Sequence, residues 1–323
     1  MERAVVIEAV GGPEVLRVAA RDPGAPGAGQ LRIRIAAAGV NFIDVYFRTG
    51  LYPRPLPFVA GLEGAGRVEA IGPGVAGVAV GDRVAWASVP GSYADVVVAP
   101  AASVVPVPDA VPDETAAAAM LQGMTAHYLV HAIRPPEPGG AALVHAAAGG
   151  TGLLLVQMLK AAGMRVVGSC GSEEKVALVR EAGADLVVRS DDPDFVATVR
   201  GATGGRGVDV VYDGVGRATF DNSLLCLRPR GLLALFGQAS GPVLSFDLQR
   251  LNAGGSLVVT RPSLAHFVAT REELWMRADA VLGAVAKGQL QVRIGARFAL
   301  VDAAGAHRAL ESRATTGKVL LLP

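Results

Sequence analysis

Residues 141–152 read AALVHAAAGGTG and run directly into LLLVQMLKAAG at 153–163. An apolar run, then small residues and glycine, then a helix-like segment describe a buried strand that enters a helix through a tight loop. Such a loop lets backbone N–H groups and the helix N-terminus approach a pyrophosphate closely. In the usual fingerprint, G-x-G-x-x-G, the six positions here are Ala147, Ala148, Gly149, Gly150, Thr151 and Gly152, with alanine at the first glycine. Context supports the motif, because a second apolar run follows at Met164–Ser169. A plain Gly-rich turn packing a helix on a sheet is the alternative. We read the stretch as a dinucleotide site, with Ala148, Gly149, Gly150, Thr151 and Gly152 as expected contacts.

Outward from this loop, strands alternate with helices from Thr125 onward. ALVHAA is followed by a helix from about Thr151, then RVVGSC, a helix from Ser172, DLVVRS, a helix near Phe195, VDVVYDG and LLALFGQ. That alternation predicts right-handed βαβ crossovers and a doubly wound parallel sheet in an α/β protein. Before about Leu121 the pattern is β-rich, with AVVIEAV, LRIRIAAAGV, GAGRVEAIG, GDRVAWA and SYADVVVAP separated by Gly and Pro, which suggests a partly closed barrel. REELWMRADAVLGAVAKG (271–288) places Leu274, Ala278, Val281, Leu282 and Val285 on one helical stripe, and strand-like VRIGARFAL and KVLLLP follow. The C-terminal end is therefore expected to rejoin the first domain. The expected division is 1–123 with 264–323 for the β-rich domain and 124–263 for the dinucleotide domain.

Composition narrows the function classes. The chain has 323 residues, enough for two domains, and 51% of them are hydrophobic, which fits a globular enzyme. Thirty basic residues nearly cancel 29 acidic ones and no basic tract stands out, so neither nucleic acid nor a membrane surface is an expected partner. Only Cys170 and Cys226 occur, far apart, which excludes a disulfide framework and any CxxC zinc cluster. A reducing, cytoplasmic setting is the simplest expectation. Met1–Val10 lacks the features of a secretory signal, and uncharged Gly139–Leu159 is too glycine-rich for a membrane span.

Several separate stretches resemble one family: AAGVNFIDVYFRTGLY, PFVAGLEGAGRVEAIG, GDRVA, LQGMTAHYL, HAAAGGTG, GSEEK, VDVVYDGVG, LRPRGLLALFGQASGPV, VTRPSL and LESRATTGKVLLLP. Their order is similar to that of the zinc-independent NADPH:quinone oxidoreductases, the zeta-crystallin-like branch of the medium-chain dehydrogenase/reductase superfamily. The resemblance implies a GroES-like catalytic domain, a Rossmann-type cofactor domain, NADPH as cofactor and a homodimer. Zinc relatives hold the metal with Cys and His. The corresponding positions here are Asn41 and, in Gly61-Leu62-Glu63, Leu62, neither a plausible zinc ligand. A metal-free site suits a quinone, whose ring spreads the incoming charge without a Lewis acid. Two alternatives remain open: an NADPH-dependent enone or enal C=C reductase, and a non-enzymatic NADPH-binding protein of crystallin-like or RNA-associated type.

The nucleotide choice rests on one strand end. NAD-preferring sites place an Asp or Glu there, whereas this strand ends in Gly168-Ser169-Cys170 with Lys175 soon after, a set that suits a 2′-phosphate. Glu173 and Glu174 either face solvent or compete for the ribose. By resemblance, Lys175 is the phosphate-binding lysine, and Arg189 stands where relatives often carry a tyrosine. Resemblance also implies that Asn41 and Tyr46 lie near the nicotinamide, with Tyr52 at the mouth of the acceptor pocket. Thr125, Gly214, Phe236, Gly237, Arg261 and Lys318 are further expected cofactor contacts. Asp44, four residues before Arg48, is expected to form an ordinary helical ion pair with it.

Overall fold

The computed structural model describes residues Met1–Pro323 and divides them into two compact units, Met1–Met124 with Val268–Pro323, and Thr125–Phe267. The first unit opens with β1 (Glu2–Ile7), β2 (Arg17–Arg21) and β3 (Gln30–Val40), then α1 (Phe42–Arg48). Next come β4 (Phe58–Val59), β5 (Glu63–Ile71), β6 (Arg83–Trp86), β7 (Val96–Pro100) and β8 (Val105–Pro106), before α2 (Asp113–Tyr128). In β3 Leu31, Ile33 and Ile35 alternate inward, the period that a strand with one buried face requires.

The second unit contains β9 (Ala141–Val144), α3 (Gly150–Ala161), β10 (Arg165–Cys170), α4 (Glu173–Glu181), β11 (Leu186–Arg189) and α5 (Phe195–Gly201). It continues with β12 (Val208–Asp213), α6 (Phe220–Cys226), β13 (Leu227–Leu235), α7 (Gln249–Ala253) and β14 (Val258–Thr260). All six strands pair in parallel in the order β11-β10-β9-β12-β13-β14. The order reverses beside β9, so the crevice at the strand C-termini opens where the glycine loop leaves β9. Residues 141–144 are wholly buried, and side chains such as Leu143 each contribute about 1.5–3 kcal/mol on burial.

The chain then returns to the first unit through α8 (Arg271–Ala286), β15 (Ile294–Ala299), α9 (Ala303–Glu311) and β16 (Lys318–Leu322). A capping box of Thr270 and Glu273 starts α8. Strand β16 inserts between β15 and β3 in the sheet β15-β16-β3-β5-β6-β8, with β7 also on β3, while β2-β1-β4 form a second sheet. This return brings Lys318 beside β3 and His307 of α9 to the buried side of α1. No helix is long and apolar enough to cross a membrane.

Candidate functional site

In the second unit the loop after β9 is built by close approach. Ala147 N–H donates to Ser169 O at 2.8 Å, and Gly149 N–H to Ala146 O at 2.9 Å. A Cβ on Gly152 would lie 2.7 Å from Ala147 Cα, which explains why this position is glycine. At the first fingerprint position alanine fits, because the left-handed residue is its neighbour Ala146, with φ 48°. Gly149 caps α3 without a side chain, so no side chain closes the first-turn N–H groups of Gly150, Thr151 and Gly152. That is the donor set an anion takes at a helix N-terminus. Ala148 is buried just before it.

Beneath the loop lies a buried polar chain that the sequence reading did not single out. Asp213, at the end of β12, accepts four hydrogen bonds: Val215 N and Gly216 N on Oδ1 at 2.8 and 3.0 Å, and the Thr219 and Ser223 hydroxyls on Oδ2 at 2.7 and 2.8 Å. Ser223 has then given its proton away and accepts from His145 Nε2, 3.1 Å distant. The His145 Nδ1 in turn accepts from the Ser169 hydroxyl at 2.9 Å. Burial holds the His145 pKa below its usual value, against the opposing pull of Asp213, so the ring is neutral. Ser169, one of the expected cofactor contacts, is 1% exposed, and its hydroxyl lies 2.9 Å from His145 Nδ1.

The remaining expected cofactor residues of this unit occupy three places. Lys175, half-buried, sits in the first turn of α4, and Arg189 ends β11 opposite Cys170. Arg189 gives two N–H groups to Asp191, at 3.0 and 2.7 Å. Gly214 and Gly237 pack on each other: a Cβ on Gly237 would lie 2.9 Å from Gly214 Cα, and one on Gly214 would lie 2.9 Å from the Phe236 ring. Thr125 is buried in α2, and Arg261 is exposed after β14 with its Nη1 3.4 Å from Pro262 O.

In the first unit Asn41 is the N-cap of α1 and is 4% exposed. Its Nδ2 donates to Gly39 O at 3.2 Å and to Glu63 Oε2 at 2.9 Å, and its Oδ1 accepts from Lys318 Nζ at 2.7 Å. Both side-chain donors are thus spent inside the protein, and the side-chain oxygen accepts from Lys318. Lys318 and Glu63, each with a fully buried side chain, form an ion pair, and Glu63 Oε1 also accepts from Leu121 N at 2.6 Å. Gly39 makes room for this pair, since a Cβ there would lie 2.7 Å from Lys318 Cε. Lys318 was expected to touch the cofactor. In the structure the lysine points inward, with its ammonium bonded to Asn41 Oδ1 and paired with Glu63.

A second buried chain runs from Asp44 toward the surface. Asp44 Oδ2 accepts from Asn41 N and from the Tyr93 hydroxyl, both at 2.9 Å, whereas Oδ1 is buried without a partner. Tyr93 Oη lies 3.2 Å from His307 Nε2, and His307 Nδ1 lies 3.2 Å from Arg48 Nη1. Arg48, 1% exposed, closes the chain with two 2.8 Å bonds to Glu311. The expected pair between Asp44 and Arg48 is absent: Asp44 turns back to cap its own helix, and Arg48 finds a bidentate carboxylate on α9. Burial raises the Asp44 pKa to about 7 against the bonds from Tyr93 and Asn41, and lowers that of His307 to about 3.

The two tyrosines beyond Asn41 stand in an aromatic cluster. Tyr46 and Tyr52 meet edge to face with centroids 5.2 Å apart, Phe47 lies 5.9 Å from Tyr52, and Tyr52 N donates to Tyr46 O at 3.0 Å. Tyr46 is 8% exposed and Tyr52 half-buried. The structure therefore brings Asn41, Tyr46 and Tyr52 together through α1 and the turn after it. Glu63, Tyr93, His307, His145 and Asp213 were missed by sequence reading. Only His145, directly before the glycine loop, carried a local signal; Tyr93 and His307 are 214 positions apart. No group of three His, Cys, Asp or Glu side chains is placed to hold a metal ion.

Comparison with known proteins agrees with this architecture. Residues 27–109 match the model for the alcohol dehydrogenase GroES-like domain, and residues 150–278 that for zinc-binding dehydrogenases. A quinone oxidoreductase of Pseudomonas aeruginosa is 44% identical over the full length of both chains. A 2-haloacrylate reductase of a Burkholderia species is 40% identical over 100% of this chain and 99% of its own. A mycobacterial protein solved in complex with NADPH is 50% identical, with a TM-score of 0.97 over 99% of this chain and 100% of its own. With a glycine loop on a parallel sheet, a GroES-like β-rich unit and this full-length similarity, the chain belongs to the quinone oxidoreductase family of the medium-chain dehydrogenase/reductase superfamily.

Proposed function

We propose that this protein catalyses hydride transfer from NADPH to a quinone. The observation that carries the reading is the donor set of the second unit: the first-turn N–H groups of α3 for the pyrophosphate, and Lys175 at a β10 end that bears no acidic residue at 168–170. Bound NADPH would supply the hydride. Lys175 and Arg189 bind the 2′-phosphate, with Arg189 shared between Asp191 and the ligand. Gly214 and Gly237, which leave no side chain in the crevice, admit the ribose–nicotinamide half beside Phe236. Thr125 and Arg261 add a hydroxyl and a positive charge. In the first unit, Tyr46 and Tyr52 hold a planar acceptor against aromatic faces, and a phenol donates to its oxygen. Asn41 orients rather than donates, because its N–H groups are bound to Gly39 and Glu63.

A second reading is reduction of an electron-poor C=C bond, favoured by the full-length similarity to a 2-haloacrylate reductase. A homodimer fits the open edge of the parallel sheet at β14, where Val258 is 49% exposed, and two buried free thiols fit a cytoplasmic setting. The test follows NADPH consumption with a panel of quinones and a panel of activated alkenes, and measures NADPH and NADH binding to wild type and K175A. Quinones are expected to turn over faster. K175A is expected to weaken NADPH about tenfold, the loss of one charge-assisted bond, with NADH unchanged. Faster alkenes overturn the acceptor class, and an unaltered cofactor preference removes Lys175 from the phosphate site.

A further inference from the structure

We propose that His145 is a positioning residue for the dinucleotide: held as its Nε2–H tautomer between Ser223 and Ser169, it keeps Ala146 left-handed and so aims the first turn of α3 at the pyrophosphate. The inference rests on the proposed function for the ligand of that turn, and deepens it by naming what sets the turn.

Three observations carry it. First, the proton order of the buried chain is fixed from both ends. Asp213 receives donors on both oxygens, one of them the Ser223 hydroxyl, so Ser223 Oγ has only a lone pair to offer His145 Nε2. The ring proton is therefore on Nε2. At the other end the Ser169 hydroxyl lies 2.9 Å from Nδ1. A second ring proton there would turn that hydroxyl away and strand its own proton in a residue that is 1% exposed, a costly loss for a buried donor.

Second, the ring is held in this arrangement by its surroundings. It stacks on Phe195 with centroids 5.6 Å apart and planes 19° from parallel, and the His145 backbone N–H donates to Tyr212 O at 3.0 Å. Through Tyr212, Ser169 and Ser223 this one residue ties together the ends of β9, β10 and β12, three neighbouring strands, and α6.

Third, the next residue is the left-handed one. Ala146, with φ 48°, stands between His145 and Ala147, whose N–H donates to Ser169 O at 2.8 Å. Ser169 thus grips both flanks of Ala146, the His145 ring through its hydroxyl and the Ala147 backbone through its carbonyl. Left to itself an alanine avoids this conformation. Held there, its carbonyl accepts from Gly149 N at 2.9 Å, and a Cβ on Gly152 would collide with the same oxygen. The Ala146 carbonyl is the surface on which α3 begins, and its direction fixes where the N–H groups of Gly150, Thr151 and Gly152 point.

The test measures NADPH binding by calorimetry, and thermal unfolding, in wild type, H145F, A146G and H145F/A146G. Phenylalanine fills the ring's place against Phe195 and makes neither hydrogen bond. Without the clamp Ala146 leaves the left-handed region and NADPH must restore it, so H145F is expected to weaken NADPH about tenfold, the penalty of one left-handed alanine. Glycine enters that region freely, so H145F/A146G is expected to bind NADPH within about threefold of A146G. The quinone KM at saturating NADPH stays at its wild-type value. S169A, which keeps the ring and removes one of its bonds, is expected to weaken NADPH by less, about threefold, again with recovery by A146G, and decides the matter if H145F does not fold. Ring 15N spectra, with H145F identifying the signal, are expected to show the proton on Nε2 from about pH 6 to about pH 9. Unaltered NADPH affinity in H145F, a loss that A146G leaves in place, a quinone KM that moves with it, or a proton on Nδ1 overturns the proposal. If wild type binds no NADPH, the proposed function fails instead and unfolding decides His145: A146G should stabilise wild type more than H145F, where the strain is already released, and equal gains overturn the clamp.

Discussion

Two buried aspartates, one in each unit, solve the same physical problem in opposite ways. Asp213 is ringed by four donors, two backbone and two hydroxyl, all within a ten-residue reach of its own strand end. Asp44 receives two donors on one oxygen, one of them from Tyr93, 49 positions away. The first arrangement is local, neutral apart from its one carboxylate, and holds the dinucleotide loop through Ser223, His145 and Ser169. The second draws on α1, α9 and the segment before β7, and it leaves an oxygen bare. Both oxygens of the first carboxylate are answered by donors, whereas the second keeps one oxygen, Oδ1, buried without a partner.

The largest expected effect tests the ionic side of this comparison. K318M leaves the fully buried Glu63 without its cation, and should lower stability by about 3–5 kcal/mol in denaturant unfolding. The double variant E63Q/K318M should recover a large part of that loss; no recovery would mean that the lysine matters for its stem rather than its charge. The Asp213 side is probed by D213A, which strands two N–H groups and two hydroxyls. A loss of about 3 kcal/mol is expected, as several buried donors lose their acceptor at once. A loss below about 1 kcal/mol, an ordinary exposed contact, would show that water replaces Asp213 and dissolve the contrast with Asp44. The smallest effect belongs to the loop above Asp213. Ala146 has φ 48°, and A146G should stabilise the protein by up to about 1 kcal/mol, because relief of left-handed strain exceeds the extra freedom gained by the unfolded chain. A lower melting temperature would indicate that the Ala146 methyl packs usefully.

Legibility followed the range of the interactions. The alternation after Thr125 revealed the parallel sheet, and the loop glycines were readable because their constraint, close backbone approach at Gly152, acts between neighbours in sequence. Asp44 and Arg48 show where local reading misleads. Their i,i+4 spacing fits an ion pair, yet each finds another partner, the Asn41 N–H for Asp44 and a bidentate Glu311 for Arg48, the latter one that spacing along the chain does not disclose. Lys318 was read as a cofactor contact from the resemblance alone; only the insertion of β16 beside β3 turned its ammonium inward onto Asn41.

By itself, then, the order of residues determined the strand and helix periods, the glycine loop and the family of this protein, because hydrophobic periodicity and steric room at glycine are properties of short segments. Which carboxylate carries a charge, which way each buried proton points and which asparagine hydrogens are already spent were decided by tertiary structure alone. Those properties depend on donors and counter-charges contributed by segments up to 277 residues apart, and on the water that their packing excludes.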